Sequence, residues 1–571
     1  MRPATRPRVF DRDVRGIHCV GVGGMGVGPL AVYLAQVGFN VSGEDDALTG
    51  EMRAVLERER VAIGTIPADC DLVVYSSAIA KDHPAWVAAV ARRLPLVRRG
   101  EALAEVAREK KLVAICGSHG KTTTTAMLIT ALRRANFPAG YVLGGLFADD
   151  TAPARAGSND WVVAEIDESD GTIDRFSPEL AVAVNLDWDH PDYYRQPAEL
   201  EATFAALFAR TRGTVLVSDA CARSARVAPH ATTFGRSGSF RGAVAEEAGA
   251  GMTLRLGGRF SPDAAVVRAV GDFNAANATA ALAAAQLMGV ALMPKLLADY
   301  PGVRRRQTVL QAGDGPAVIE DYAHHPAEIR ALLASLRRRV AAGGRLIVVF
   351  QPHRFSRTAQ FKVEFAAALA MADRVHLLDV YAAGEAPTAG GTTADIYAEL
   401  KRSAGAVPVS YLPADDAGFF RALAREAASG DVVAFVGAGD IDRKARAWLG
   451  ILKEDAMNAK RWDDFAGGLK RLVTEETRLR REEPLAAKTT MRVGGAARVY
   501  AEPASVADLQ VLLREAKTSG VGVFLLGRGS NLIVPDEGVD GLVVALPVGA
   551  KIALQVLDLV VLRVGDEEVA A

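Results

Sequence analysis

The sequence predicts an α/β protein that is divided into several domains with doubly wound, mainly parallel sheets. Three observations predict this fold class. A strand, a glycine loop and a helix follow one another at residues 16–36 and again at 111–134, and strand and helix patterns alternate over 317–436. The chain of 571 residues is also long enough for roughly three to four domains of ordinary size.

Composition narrows the class of protein. Half of the residues are hydrophobic, 6% are aromatic and the net charge is -1, which suits a soluble enzyme and argues against a basic nucleic-acid binder. The four cysteines form no CxxC pair, so neither a disulfide framework nor a zinc site is expected: Cys19, Cys70, Cys116 and Cys221. No secretion signal and no apolar run long enough to span a membrane occur, so we expect a cytoplasmic protein.

The first strand, in "GIHCVGVGGMG", ends in a glycine loop that precedes a helix. Gly21, Gly23 and Gly26 satisfy the pattern GxGxxG, Gly24 lies between them, and Asp45 follows the next strand. Such a loop lets backbone N–H groups approach a diphosphate at the helix N-terminus. Three interpretations stay open from this motif alone: a dinucleotide cofactor, a nucleotide-sugar diphosphate, or a tight turn without a ligand.

The second glycine loop, in "ICGSHGKTTTT", resembles a phosphate-binding loop. The usual first glycine of that motif is replaced by Ile115, and the strand "KLVAICG" and the helix "TTAMLITALRRA" flank the loop. Lys121 can reach the β and γ oxygens of ATP, and a hydroxyl of Thr122 or Thr123 can ligate Mg²⁺. The candidate ATP-binding residues are Gly117, Ser118, His119, Gly120, Lys121, Thr122 and Thr123.

Two consecutive strands after this loop end in residues that can bind a metal ion. The first, "WVVAEIDESDG", ends in Glu165, Asp167, Glu168 and Asp170. The second, "LAVAVNLDWDHPDYY", ends in Asn185, Asp187, Asp189 and His190. Because the carboxyl ends of parallel strands share one edge of a sheet, we expect these side chains to face the same crevice as the phosphate-binding loop.

A third α/β segment places polar residues after its strands. The candidates after its first two strands are Asp321, Tyr322, His324, His325, His353, Arg354 and Arg357. Arg354 and Arg357, three residues apart, could hold carboxylate or phosphoryl oxygens through bidentate hydrogen bonds. Adjacent histidines and arginines in loops are also common without any function.

The ordered motifs resemble those of the Mur ligases of peptidoglycan synthesis over roughly residues 15–450. They are the shortened loop followed by "EIDESDG", "NLDWDH", "GDFNAANATAA", "GVRRRQ", "DYAHHPAEI", "FQPHRFSRT" and "VYAAGE". The resemblance implies a Rossmann-like UDP-sugar-binding domain at 1–106, a central ATP-binding domain at 107–300 and a Rossmann-like domain at 301–453. It also implies an ATP-dependent ligase that joins L-alanine to UDP-N-acetylmuramate through an acyl phosphate.

The resemblance also implies roles for individual residues. The residues implied to hold the UDP-sugar are Gly21, Gly23, Gly24, Gly26, Asp45, Tyr322 and His324. Those implied to bind Mg²⁺ are Thr122, Glu165 and His190. Asn274 and Asn277 match the adenine-recognising position, where Phe273 replaces the family's usual histidine. The residues implied to act in catalysis are Lys121, Glu165, His190, His324, Arg354 and Arg357, and His324 or His325 is a hypothetical general base.

Two other functions remain open at this point. A ligase that attaches a tripeptide to the same sugar shares many of these motifs, although "FQPHRFSRT" and "VYAAGE" favour the addition of L-alanine. A flavin- or NAD-binding oxidoreductase would explain the glycine loops, but it has no use for Lys121, Glu165 and His190. Assembly of the protein as a homodimer is a further possibility that the sequence leaves open.

The last part of the chain carries a second resemblance. After a segment interpreted as a charged linker, 454–483, residues 484–571 resemble the N-terminal part of UDP-N-acetylenolpyruvoylglucosamine reductase, a flavoprotein. Its opening motif corresponds to Thr490, Arg492, Val493, Gly494 and Gly495, and its FAD-diphosphate loop corresponds to Gly527, Gly529, Ser530, Asn531 and Leu532. The segment is too short for that family's substrate-binding domain. We therefore expect a partial α+β domain that binds FAD weakly or not at all, and a glycine hairpin without a ligand is the alternative.

Overall fold

The computed structural model describes residues 8–189, 193–313, 315–402, 407–411, 416–527, 529 and 532–546. The chain divides into two compact units, Met1–Arg446 and Ala447–Ala571. Among the described residues, none of the helices combines the length and the apolar character that crossing a membrane requires.

The first unit contains a five-stranded parallel sheet in the order β5-β4-β3-β6-β7. Before it, β1 (Arg8–Val9) and β2 (Arg12–Asp13) form a separate antiparallel pair. The elements of the five-stranded sheet and its helices are β3 (Gly16–Val20), α1 (Val27–Gln36), β4 (Asn40–Glu44), α2 (Gly50–Arg58), β5 (Ala62–Ile63), β6 (Leu72–Tyr75), α3 (Pro84–Ala91), β7 (Leu96–Arg98) and α4 (Arg99–Ala107). All of β3 is buried because its apolar run lies in the middle of this sheet. The predicted strand, glycine loop, helix and second strand are confirmed.

A ten-stranded sheet follows, in the order β10-β9-β11-β8-β12-β13-β14-β15-β16-β17. Its elements are β8 (Lys111–Cys116), α5 (Lys121–Arg134), β9 (Gly140–Val142), β10 (Ala154–Arg155), β11 (Trp161–Glu165), a 3₁₀ turn (Ile173–Arg175), β12 (Leu180–Ala183), α6 (Pro197–Arg210), β13 (Thr214–Ser218), α7 (Ala222–Val227), β14 (Thr232–Gly235), β15 (Phe240–Ala248), β16 (Gly251–Gly258), β17 (Ala264–Val267) and α8 (Asp272–Leu287). The strand β8, which leads into the phosphate-binding loop, pairs in parallel with β11 on one side and β12 on the other. The two strands with acidic ends therefore flank the loop, as the sequence predicts.

The third sheet of this unit has six strands in the order β18-β19-β23-β20-β21-β22. Its elements are β18 (Thr308–Gln311), β19 (Ala317–Asp321), α9 (Pro326–Arg337), β20 (Leu346–Phe350), α10 (Phe355–Leu369), β21 (Arg374–Leu377), α11 (Thr393–Arg402), β22 (Val409–Tyr411), α12 (Asp416–Glu426) and β23 (Val432–Val436). The helix α13 (Ile441–Leu472) begins in this unit, and its residues from Ala447 onwards belong to the second unit. The strand β18 is antiparallel to β19, and the other pairings are parallel. The four predicted strands of this segment are confirmed.

The second unit holds a four-stranded sheet in the order β24-β25-β27-β26. Its elements are β24 (Arg478–Pro484), a 3₁₀ turn (Ala486–Lys488), β25 (Ala496–Glu502), α14 (Val506–Thr518), β26 (Val523–Leu526) and β27 (Val539–Ala545). The strand β25 lies next to β27 rather than β26, and these two inner strands pair in parallel.

The segment interpreted as a charged linker, 454–483, contains the end of α13, to Leu472, and most of β24, which begins at Arg478. Trp462 and Leu469 are buried against residues of the second unit's core, including Leu512. These two apolar side chains are seven residues apart and therefore share one helix face, while the charged residues occupy the rest of the helix. Because most residues of this segment are charged or polar, the sequence pattern did not indicate a buried helix face.

Candidate active site

The phosphate-binding loop turns from β8 into α5 through two glycines in the left-handed region. Gly117 has a φ of 113° and Gly120 a φ of 81°. A Cβ on Gly120 would lie 2.7 Å from Oδ1 of Asn277, so a larger residue does not fit there. The N-terminus of α5, with its free backbone N–H groups, opens directly after this turn and is suited to phosphate.

Lys121 lies at the first position of α5 and folds back onto the loop. Its Nζ donates to the carbonyl oxygen of Gly117 at 2.6 Å and forms an ion pair with Oε2 of Glu168 at 3.0 Å. Burial lowers the pKa of Lys121, but Glu168 and Asp167 more than offset this effect, and the net pKa is raised. The ammonium group is therefore charged and held at the loop, where ATP phosphates are expected.

Thr122 and Glu165, two of the predicted Mg²⁺ ligands, place their side-chain oxygens next to each other beside the loop. The hydroxyl of Thr122 donates to Oε2 of Glu165 at 2.9 Å, and the amide of Gly144 donates to Oε1. Hard oxygen ligands of this kind suit Mg²⁺, which usually keeps several waters and takes only one or two protein carboxylates. The third predicted ligand, His190, lies outside the described residues. Within the described part of the chain, no cluster of three or more His, Cys, Asp or Glu side chains could hold a metal ion.

The two glycine loops meet in one cleft of about 240 Å³. Gly24 and Gly26 line it from the first loop, and Lys121 and Glu165 line it from the central part of the unit. The first loop is shaped by Asp45, whose Oδ2 accepts from the amide of Gly23 at 2.9 Å. Gly21, with a φ of 83°, starts the turn.

A larger cavity of about 800 Å³ extends from the other side of the phosphate-binding loop. Gly120 and Thr123 line it at one end, followed by Asn277, Asn274 and Phe273 in the first turns of α8. Oδ1 of Asn277 accepts from the hydroxyl of Thr124 at 3.2 Å, and Nδ2 of Asn274 donates to the carbonyl of Val270 at 2.8 Å. The predicted adenine-recognising residues thus lie in one cavity with the loop.

The loop also contacts the residues that follow β19. His119 has its Nδ1 3.4 Å from Oε1 of Glu328, and its ring lies 4.6 Å from the ring of His325. Burial lowers the pKa of His119, but Glu328 and neighbouring aspartates outweigh this effect and the net pKa is raised. This contact links the central sheet to α9 within the first unit.

The two histidines proposed as a general base are poor proton acceptors at neutral pH. Burial lowers the pKa of His324 to about 3, and burial together with the nearby His119 lowers the pKa of His325 to about 4. Nδ1 of His325 caps α9 by accepting from the amide of Ala327 at 3.3 Å. An efficient general base has a pKa near the working pH, so neither histidine is favoured in this role.

The two predicted arginines contact different carboxylates. Arg357 donates through Nε and Nη2 to Oδ1 of Asp189, at 3.1 and 3.0 Å, and both side chains are 4% exposed. Arg354 has Nη1 3.7 Å from Oε1 of Glu385. The role of Arg354 and Arg357 in holding carboxylate or phosphoryl oxygens of a ligand stays a prediction. Tyr322 directly follows β19, and the guanidinium of Arg305 packs over its ring at 4.8 Å.

Three family models match successive parts of the chain. They are the Mur ligase family catalytic domain at residues 16–111, the Mur ligase middle domain at 115–285 and the Mur ligase glutamate ligase domain at 304–439. A UDP-N-acetylmuramate--L-alanine ligase of Anaeromyxobacter sp. (strain Fw109-5) is 36% identical in an alignment of 452 residues that covers 76% of this chain and 98% of that protein. The chain belongs to the Mur ligase family. A second relative with the same name, from Mycolicibacterium smegmatis, is 36% identical in an alignment of 455 residues that covers 75% of this chain and 93% of that protein.

Solved structures agree with this Mur ligase fold. The crystal structure of a UDP-N-acetylmuramate-alanine ligase from Thermotoga maritima superposes with a TM-score of 0.64 at 27% identity, covering 77% of this chain and 99% of that one. A murein peptide ligase from Psychrobacter arcticus has the same fold, with a TM-score of 0.57 at 21% identity and coverage of 77% and 98%.

Several residues of this Mur ligase site were missed by sequence reasoning. Arg98 and Arg99 line the cleft between the two loops, and Nη2 of Arg99 lies 3.4 Å from Oδ2 of Asp170. Arg98 is the last residue of the strand β7 and Arg99 is the first residue of α4, so their position at a carboxyl strand end was a readable signal. Glu168 and Asp189 were noted only as members of acidic strand ends, and their pairing with Lys121 and Arg357 had no signal in the sequence.

Proposed function

We propose that this Mur ligase joins L-alanine to the lactyl carboxylate of UDP-N-acetylmuramate, with ATP as the phosphoryl donor, in peptidoglycan synthesis. The observation that carries the proposal is the cleft in which Gly24 and Gly26 of the first loop lie with Lys121 and Glu165. A sugar diphosphate on the first loop and ATP on the second would bring their reacting groups into the same space. The two relatives that are 36% identical to this chain are named UDP-N-acetylmuramate--L-alanine ligases.

The proposed reaction begins with transfer of the γ-phosphoryl group to the lactyl carboxylate. The carboxylate oxygen forms a bond to phosphorus, the bond to the β-γ bridging oxygen breaks, and ADP leaves. Negative charge grows on the phosphoryl and bridging oxygens, so Lys121 and the N-terminus of α5 are suited to stabilising it. Mg²⁺, held by Glu165, Thr122 and the predicted ligand His190, would supply further neutralisation of phosphate charge when bound.

The amine of L-alanine then attacks the acyl phosphate, and phosphate leaves as the amide forms. Tyr322, His324, Arg354 and Arg357 are proposed to position the muramoyl carboxylate and the amino acid. Arg357 keeps Nη1 outside its contact with Asp189, 3.5 Å from Nδ1 of His353, and this group could hold a carboxylate. No described residue is assigned as the general base.

The test is release of phosphate from ATP and Mg²⁺ with UDP-N-acetylmuramate, measured with and without L-alanine. Glycine and the tripeptide L-alanyl-D-glutamyl-diaminopimelate serve as controls, and the Lys121→Ala variant serves as the inactive reference. Release that requires both the sugar and L-alanine supports the proposal. Release with the tripeptide alone assigns the chain to peptide recycling instead, and release with neither rejects ligase activity.

We also propose that the second unit is a partial flavin-reductase-like module without stoichiometric FAD. The amide of Thr490 donates to the carbonyl of Gly529 at 2.9 Å, so the two motifs that carry this resemblance are in contact. Gly527 is also described, whereas Ser530 and Asn531 lie outside the described residues. Purified protein with one yellow flavin per chain would contradict the proposal.

A cytoplasmic location and assembly as a homodimer stay predictions. Cell fractionation tests the location, and light scattering tests the oligomeric state.

A further inference from the structure

The cavity that extends from the phosphate-binding loop has a polar wall that the proposed chemistry does not use. Gln307 and Thr308 line it, at the point where the chain enters β18. Nε2 of Gln307 and Oγ1 of Thr308 are buried and have no hydrogen-bond partner among the described residues. Buried polar groups are rarely left in this state unless a ligand or water completes them.

The amide of Gln307 has a defined orientation. Its Oε1 accepts from Nη2 of Arg339 at 3.3 Å, so the oxygen faces Arg339 and the NH₂ group is left as a donor. Both Arg339 and Gln307 line the cavity. The amide oxygen has a second lone pair, so the side chain can donate and accept at the same time.

The backbone holds Gln307 at this position in an unfavourable conformation. Its φ is 48°, in the left-handed region that residues with a Cβ seldom adopt, and its amide donates to Oδ2 of Asp321 at 2.8 Å. Thr308 is fixed by pairing with Glu320 of β19. Strained backbone of this kind persists where surrounding contacts impose it, and it is found often at ligand-binding sites.

The lining of the cavity indicates where a bound nucleotide would place its base. Phosphates bound at the N-terminus of α5 would lie near Asn277, because a Cβ on Gly120 would be 2.7 Å from Oδ1 of Asn277, and Asn274 and Phe273 precede Asn277 at the start of α8. A nucleoside that extends from those phosphates along α8 reaches Phe273, whose ring offers a stacking surface. Gln307 and Thr308 lie in the same cavity and can contact the polar edge of the base.

We propose that Gln307 acts beside the predicted adenine contacts of Asn274 and Asn277 and strengthens the preference of this ligase for adenine over guanine, with Thr308 as a second polar contact. Glutamine recognises adenine by donating to N7 and accepting from the N6 amino group. Guanine presents an acceptor, O6, where adenine presents that amino group, so Oε1 of Gln307 would face a second acceptor. This inference rests on the proposed use of ATP.

The experiment compares ATP with GTP in the wild type and in Gln307→Leu. We expect the variant to lower the ratio of kcat/KM for ATP over that for GTP on the order of 10- to 100-fold. KM for UDP-N-acetylmuramate and for L-alanine should stay within twofold of wild type. The matched control is Gln311→Leu, because Gln311 ends the strand β18 that Gln307 precedes, and its Nε2 donates to the carbonyl of Pro316 instead.

A ratio that stays within twofold in Gln307→Leu, or an equal loss for both nucleotides, overturns the proposal. Thr308→Val keeps the shape of the strand, so it provides a second variant if Gln307→Leu fails to fold, and we expect a smaller loss in the same direction. Calorimetric binding of ADP and GDP needs no turnover. It therefore tests Gln307 even if the chain shows no L-alanine-dependent phosphate release, which would reject only the proposed function.

Discussion

Replacement of Asp189 by Asn tests whether the buried ion pair with Arg357 positions α10, which contains Arg357, for catalysis. The two residues are 168 positions apart in sequence, and both N–H donors of Arg357 converge on one oxygen at 3.0 and 3.1 Å. Asn keeps an oxygen acceptor of nearly the same shape but removes the negative charge. The substitution therefore isolates the electrostatic part of the contact.

The size of the effect follows from the burial of both partners. With 4% exposure on each side, solvent screens the pair little, and complete loss of one partner would cost about 3–5 kcal/mol. Because Asn still accepts a hydrogen bond, the interaction free energy lost in Asp189→Asn should be close to that of one charge-assisted hydrogen bond, about 1.5–3 kcal/mol. If that contact is kept in the transition state, kcat/KM for L-alanine falls roughly 10- to 150-fold.

The assay is phosphate release at saturating ATP and UDP-N-acetylmuramate with L-alanine varied. Asp189 precedes the predicted metal ligand His190, so the Mg²⁺ dependence must be measured in the same variant and should not change. Glu57→Gln removes the same charge from an exposed pair with Arg53 and should have no effect. A kcat/KM within threefold of wild type for Asp189→Asn would refute the reasoning.

Three further predictions concern the same unit. Lys121→Ala should reduce phosphate release at least about 100-fold, because a charged hydrogen-bond donor is lost where negative charge develops on the phosphate oxygens. Binding of the UDP-sugar should be retained, and normal turnover would remove Lys121 from the mechanism. Gly144→Ala should abolish turnover while the protein stays folded, because the added Cβ would lie 2.2 Å from Oε1 of Glu165, whereas Gly50→Ala, with no atom within 4 Å, should be silent in the same assay. Burial lowers the pKa of His324 from 6.5 to about 3, so as the pH falls this histidine is protonated in the unfolded chain before it is protonated in the folded protein. The stability that this group contributes is present above about pH 6.5 and is lost as the pH falls towards about 3. Thermal unfolding of His324→Asn should therefore depend less on pH over that interval than that of the wild type, and an unchanged dependence would contradict this.

The sequence by itself determined the elements that carry the site. Gly21, Gly117 and Gly120 stand where the backbone needs a positive φ, and apolar runs of strand length precede them. These are local requirements, so they can be read from a few consecutive residues. The order of the motifs also implied the family, which the comparisons bear out.

Only the tertiary structure decided which side chains meet. Glu168 reaches Lys121 because β11 lies beside β8, and Asp189 reaches Arg357 because two sheets pack together in one unit. Nε2 of Gln307 has no hydrogen-bond partner among the described residues, and the cavity that it lines is formed by segments that are far apart in sequence. Contacts of this kind depend on strand order and on how sheets pack, and neither quantity leaves a pattern in neighbouring residues.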